Sequence, residues 1–208
     1  ETDILNDALA GTAAPISRIG GGEVRVDQAL ASPAAAWDDE TLAAALNFGF
    51  VDVSEDMVSF VRTVRVRNYS DQGVEYHITP QLRFDDDLGT GAISVSAPNT
   101  IIVGAGQDAT FNVELTVYGR KLWTNHMSSG AEGADGAALT LNEYDGYLIF
   151  ENGSHEIHLP WHILPRKAAE VAARTELNFW RGLSLVRLSN HGVGTAQNDA
   201  YSLLALSP

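Results

Sequence analysis

From about Leu46 to Lys167, apolar side chains recur at every second position between short turn signals, and this period constrains the fold more than any other feature. A period of two sends successive side chains to opposite faces, so the chain must bury one face of a sheet rather than one stripe of a helix. Ala109, Phe111, Val113, Leu115 and Val117 form the strongest single strand. Val64 and Val66 alternate with Arg65 and Arg67, and Val74, Tyr76, Ile78, Leu82 and Phe84 carry a further strand interrupted by Pro80. Proline has no amide hydrogen for a ladder, so Pro80 predicts an edge strand or a bend. Ile93 and Val95 mark another strand, and Asn68–Gly73, Pro98-Asn99 and Gly104–Asp108 supply turns.

The segment Tyr144–Lys167 has the form of a hairpin. Its turn, Glu151-Asn152-Gly153-Ser154, contains the Asn-Gly pair that accommodates the positive φ angles of a tight turn. Leu148 and Phe150 share a face on the outgoing strand, and His155, Ile157, Leu159 and Trp161 share one on the return. Pro160 and Pro165 are expected to end the ladder, and the hairpin to close a sandwich as its edge. About seven strands with regularly spaced turns predict an all-β, immunoglobulin- or fibronectin type III-like sandwich. Its expected core includes Val64, Val66, Phe111, Val113, Leu115, Leu159 and Trp161.

The flanks differ in pattern. Ile4, Leu5, Ala8 and Leu9 predict a short amphipathic helix over residues 2–10, Glu23–Asp27 a short strand after the Gly20-Gly21-Gly22 run, and Ser32–Ala45 a linker or helical turn. Ser128–Ala138, rich in Gly, Ala and Ser, lies in a long connection of the kind that is mobile or functional. After an Ala-rich link at Ala168–Arg174, Leu183–Leu188 and Tyr201–Leu206 are expected to flank a turn at Asn190–Gly194 in a second β unit.

Hydrophobic content of 45% is enough for a sizeable core in 208 residues, which span one large all-β domain or one typical domain with pieces on either side. A net charge of −14 disfavours phosphate backbones and anionic membranes, so nucleic acid and membrane are set aside as partners. The absence of cysteine removes disulfides, thiol nucleophiles and thiolate metal sites. No apolar run approaches the roughly 20 residues of a membrane-spanning helix.

Residues with chemical potential occur without the frame that chemistry requires. The six histidines and the serines stand singly, with no base and orienting carboxylate around a nucleophile. His155 points opposite to His158 on a regular strand, and His158 and His162 lie about 13 Å apart, too far for one zinc ion unless the chain bends at Pro160. Asp85-Asp86-Asp87-Leu88-Gly89 is an acidic loop with oxygen ligands for calcium, but without an EF-hand's terminal glutamate, since Ser96 holds the twelfth position. Asn68-Tyr69-Ser70 and Asn152-Gly153-Ser154 are formal glycosylation sequons. The expectation is therefore no catalytic residue, no cofactor and no metal ligand.

The order of segments resembles the region that follows the catalytic core in large subtilisin-like serine proteases. Ala8–Ala13 resembles the end of the helix behind the nucleophile, and Gly20–Ala29 the G-x-G-x-V-x-V-x-x-A segment that closes the catalytic domain. Arg62–Asn68 is similar to the R-T-V-x-V-x-N strand that opens a fibronectin-like domain, Val95–Val117 to its middle, and Tyr144–Trp161 to its closing Y-x-G strand and L-P turn. The resemblance covers most of residues 5–165. The family's G-T-S-M-A-x-P, H-G-T and Asp-Ser/Thr-Gly signatures are missing, and Gly11–Pro15 lacks the serine.

The resemblance implies a piece of a longer, secreted or cell-surface serine endopeptidase, itself non-catalytic. Residues 1–36 would be the catalytic domain's tail, 37–166 an accessory sandwich and 167–208 a further β module. Its implied partners are the catalytic domain of its own chain and protein substrate. The other expectation is a free-standing extracellular binding or adhesion module using Ser128–Ala138, Trp123 and Trp180.

Overall fold

The computed structural model describes residues 5–7, 12–123, 143–153, 155–178 and 183–195. Among these residues, nine strands form the two larger sheets. Strands β3 (Ala34–Asp38), β5 (Met57–Asn68), β9 (Asp108–Tyr118) and β7 (Ile93–Ser96) lie side by side in that order. The other sheet has the order β4 (Leu46–Val53), β11 (Glu156–Lys167), β10 (Tyr144–Glu151), β6 (Val74–Leu82) and β8 (Thr100–Val103). The connections from β5 to β6 and from β9 to β10 both pass between sheets, so this is an immunoglobulin-like β-sandwich.

The alternating residues meet between the sheets. Val64, Val66, Val113 and Leu115 on one side face Leu148, Phe150, Leu159 and Trp161 on the other, all buried. Phe111 is only partly buried, packed on the core with its ring 6.0 Å from that of Phe150.

The hairpin at Tyr144–Lys167 is central rather than an edge: β10 pairs with β6 and β11, and β11 pairs in parallel with β4. The ladder runs through both prolines because each sits where β11 has one neighbour. Pairing with β10 spans Glu156–Ile163 and pairing with β4 spans Trp161–Lys167, which leaves Pro160 and Pro165 each on a locally open side. Pro80 follows the same rule, because β6 pairs with β8 only over Val74–His77. The hairpin loop is wider than expected: Glu151 opposes Glu156, Gly153 takes a positive φ of 82°, and the Asn152 carboxamide oxygen accepts the His155 amide.

Several flanking expectations are corrected. Leu5–Asp7 is a strand, β1, paired with β2 (Thr12–Ala13), because a nine-residue helix is marginal without packing. Glu23–Asp27, expected as a short strand, has none: residues 23–25 are irregular and Val26 opens helix α2 (Val26–Ala31). Ala34–Asp38, expected as linker or helical turn, is β3, where pairing with Asn68–Val64 overrides alanine's helical preference. It straddles the expected division at residue 36. Of the expected link Ala168–Arg174, residues 171–174 instead open strand β12 (Val171–Asn178), paired with β13 (Leu183–Asn190). Tyr201–Leu206 lies outside the described residues.

Candidate functional site

Strand β10 begins with five consecutive buried residues, Tyr144-Asp145-Gly146-Tyr147-Leu148, although alternation predicts an exposed side chain at every second position. The outer face is covered by the segment Ala14-Pro15-Ile16 that leads into the short helix α1 (Ile16–Ile19). Asp145, fully buried, accepts the Ile16 amide hydrogen on Oδ2 at 2.5 Å. Arg83, just past β6, donates from Nε to the Ala14 carbonyl at 2.9 Å and from a terminal nitrogen to the Tyr147 hydroxyl at 3.1 Å. The Ser17 hydroxyl donates to the Glu143 carboxylate at 2.6 Å. These side chains form a clasp that holds the segment against the sandwich.

Gly146 has a packing reason within the clasp. A Cβ there would lie 1.9 Å from the Gln81 carbonyl oxygen and 2.8 Å from Cζ2 of the Trp161 ring, so only glycine lets β10, β6 and Trp161 approach. The Y-x-G pattern thus records the close crossing of one strand and one ring.

A second buried acid stands behind the clasp. Asp85–Thr90 is a helix, α3, rather than an acidic loop, and it turns Asp87 inward while Asp85 and Asp86 stay exposed. The three carboxylates therefore do not converge as calcium ligands would. Burial, with the nearby charges of Asp86 and Asp145, pushes the Asp87 carboxyl up to about 8. Burial likewise raises Asp145 to about 6 against the opposing pull of the Ile16 amide and the Arg83 charge. Both acids keep one oxygen, Asp87 Oδ2 and Asp145 Oδ1, without a hydrogen-bond partner. Both are closed to solvent, Asp87 at 2% and Asp145 at 0% exposure.

The histidines do not converge. His158 opposes Ile149 and His162 opposes Asp145 in a ladder that Pro160 does not break. The His158 ring lies 5.6 Å from that of Tyr147, tilted by 49°, and contacts the Glu156 carboxylate, while His155 is exposed beyond the strand. Among the described residues, no group of three or more His, Asp or Glu side chains is placed to hold a metal ion.

The Asn68 sequon is internal. Its amide nitrogen donates to the carbonyls of Gln72, Val103 and Gly104, and its oxygen accepts the Ser70 amide. The side chain is fully buried, so the folded protein presents no glycosylation acceptor there. Its role is to tie the end of β5 to the end of β8 across the two sheets. Trp123 is 43% exposed, whereas Trp180 and Ser128–Ala138 lie outside the described residues.

No known family model matches the chain, and no curated protein matches it. Among solved structures it is similar to a FixG-related protein from Vibrio parahaemolyticus, 15% identical over 64% of this chain and 97% of that one, with a TM-score of 0.39. It is also similar to the PapD-like domain 7 of human CEP192, 10% identical over 65% and 87%, with a TM-score of 0.36. The CooA pilin subunit of enterotoxigenic Escherichia coli is 10% identical over 65% and 98%, with a TM-score of 0.37. These likenesses are distant, and the sandwich assignment rests on the sheet topology. No helix among the described residues is long and apolar enough to cross a membrane.

Proposed function

We propose that this chain is a non-catalytic protein-binding sandwich whose clasp grips the segment amino-terminal to it and thereby fixes a neighbouring domain. The observation that carries this reading is the contrast between the two ends of that segment. Ala14–Ile16 is buried and hydrogen-bonded to Asp145 and Arg83, whereas α2 buries no residue and leaves Leu30 83% exposed, with Val24 and Val26 also exposed. A six-residue helix without an apolar partner gains little from its own hydrogen bonds, so its bare face fits contact with another protein surface.

On the resemblance of Gly20–Ala29, Arg62–Asn68 and Tyr144–Trp161 to subtilisin-like proteases, that surface is the catalytic domain preceding the sandwich in the same polypeptide. The module then supports that domain, or positions protein substrate, in a secreted or cell-surface enzyme. A free-standing binding module is the second reading, favoured by the exposed ring of Trp123 beside the β9 end. The coding sequence upstream of Glu1 tests the choice. A serine loop shortly before it, with the histidine and aspartate segments further upstream, supports the accessory reading, and a signal peptide leading directly into this region overturns it.

A further inference from the structure

The ribbon of β12 and β13 is rooted in the sandwich at one end. Val193 donates its amide to Ser54, Gly194 to Ala168, and His191 to Glu170. The Asn190 side chain accepts the Glu170 and Gly192 amides and donates to the Gly194 carbonyl at 2.6 Å. A Cβ on Gly192 would lie 2.5 Å from backbone atoms of Ala168 and Glu170, which is why glycine stands at this root. The ribbon therefore leaves the sandwich in a defined direction.

Directly opposed residues of an antiparallel ladder point to the same face. Arg174 opposes Arg187, and Ala172 opposes Ser189. His191, two residues beyond Ser189, continues that face, and its ring lies 3.1 Å from the Ser189 hydroxyl. These groups, together with Ala173, line a cleft of about 410 Å³. Like charges directly opposed across a ladder are destabilising. Among the described side chains neither exposed guanidinium has an ion-pair or hydrogen-bond partner, in a chain with 13 Lys and Arg against 27 Asp and Glu. Elsewhere arginines find acids: Arg65 and Arg67 meet Asp39 and Asp108, and Arg166 meets Asp52.

We infer that the Arg174–Arg187–His191 face of the β12–β13 ribbon is a binding site for the carboxylates of an acidic peptide segment in a partner protein. Two guanidinium forks on adjacent strands match side-chain carboxylates through paired, charge-assisted hydrogen bonds, with the Ser189 hydroxyl as a further donor. The adjoining ladder lets an extended acidic peptide lie along the ribbon. The site is independent of the amino-terminal clasp, so it stands or falls apart from the accessory-domain reading.

The test titrates the full chain with a capped hexaglutamate peptide by calorimetry in low salt. The expected result is binding that weakens about tenfold in Arg174→Ala/Arg187→Ala and is screened away as ionic strength rises. Arg187→Glu places an acid opposite Arg174, so it should abolish binding while holding or raising Tm, which separates lost affinity from lost fold. Hexaglutamate binding unchanged in the double variant overturns the site. Binding of inorganic phosphate with none of the peptide overturns the assigned ligand, and peptide-independent self-association lost in the variants assigns the face to a second copy instead.

Discussion

Replacing Asn68 by Ala removes the link between the two sheets at one end of the sandwich. Its two amide hydrogens serve the Gln72, Val103 and Gly104 carbonyls at 2.7, 3.2 and 3.1 Å, and its oxygen takes the Ser70 amide at 2.9 Å. At most two carbonyls are well served at once, so about three hydrogen bonds are lost. At roughly 0.5–1.5 kcal/mol each, with a further penalty for stranding a buried carbonyl, the cost comes to about 3 kcal/mol. In a urea titration followed by tryptophan fluorescence, the midpoint should fall with an unchanged m-value, and Tm should drop by roughly 6–12 °C. Asn68→Asp is the sharper control. It has nearly the same shape, but at neutral pH it sets a buried carboxylate oxygen against three carbonyls, so it should be less stable than the alanine variant. A loss below about 0.5 kcal/mol for Asn68→Ala, or wild-type stability for Asn68→Asp at pH 7, would refute this account of the inter-sheet link.

Gly146→Ala should cost more than the ordinary overpacking penalty of about 1–3 kcal/mol, because the Cβ would meet the Gln81 backbone oxygen, which cannot turn aside; thermal melting reads the loss. Leu42, 74% exposed with φ of 60°, is the one non-glycine residue with a positive φ among those described, so Leu42→Gly should stabilise by about 0.5–1 kcal/mol in chemical denaturation. Asp87 and Asp145 have folded values raised above 3.8, to about 8 and about 6, so the folded protein binds their protons more tightly than the unfolded chain. Their stabilising contribution is complete below about pH 4 and is lost as pH rises through 6 and 8. Asp87→Asn should therefore gain stability relative to wild type as pH rises from 5 to 9, by an amount on the order of a few kcal/mol in urea midpoints.

The sandwich was legible because its strands carry a two-residue period strong enough to survive Pro80, Pro160 and Pro165. What was missed depended on partners distant in sequence. β3 is alanine-rich, and β8 is a four-residue Thr-Ile-Ile-Val segment, so neither carries a readable alternation; each exists because β5 or β6 supplies its ladder. The hairpin was expected at an edge because nothing local announces the parallel pairing of β11 with β4 across more than 100 residues. The clasp was hidden for the same reason. Asp145 occupies an outward position of its strand, and only the return of Ala14–Ile16 over that position buries it. Asp87 resembled its exposed neighbours until helical geometry separated the three aspartates. The glycine at 146 was visible as part of a motif, but the ring and carbonyl that require it come from two other strands.

The central claim, that the sandwich grips the amino-terminal segment through Asp145, is tested most directly by native-state hydrogen exchange at the Ile16 amide in the full chain. The account predicts strong protection of this amide in the wild type, and at least a tenfold fall in protection in Asp145→Ala while the amides of β9 keep theirs. An Ile16 amide that exchanges at the free-peptide rate in the wild type, or one whose protection is untouched by Asp145→Ala, would contradict it.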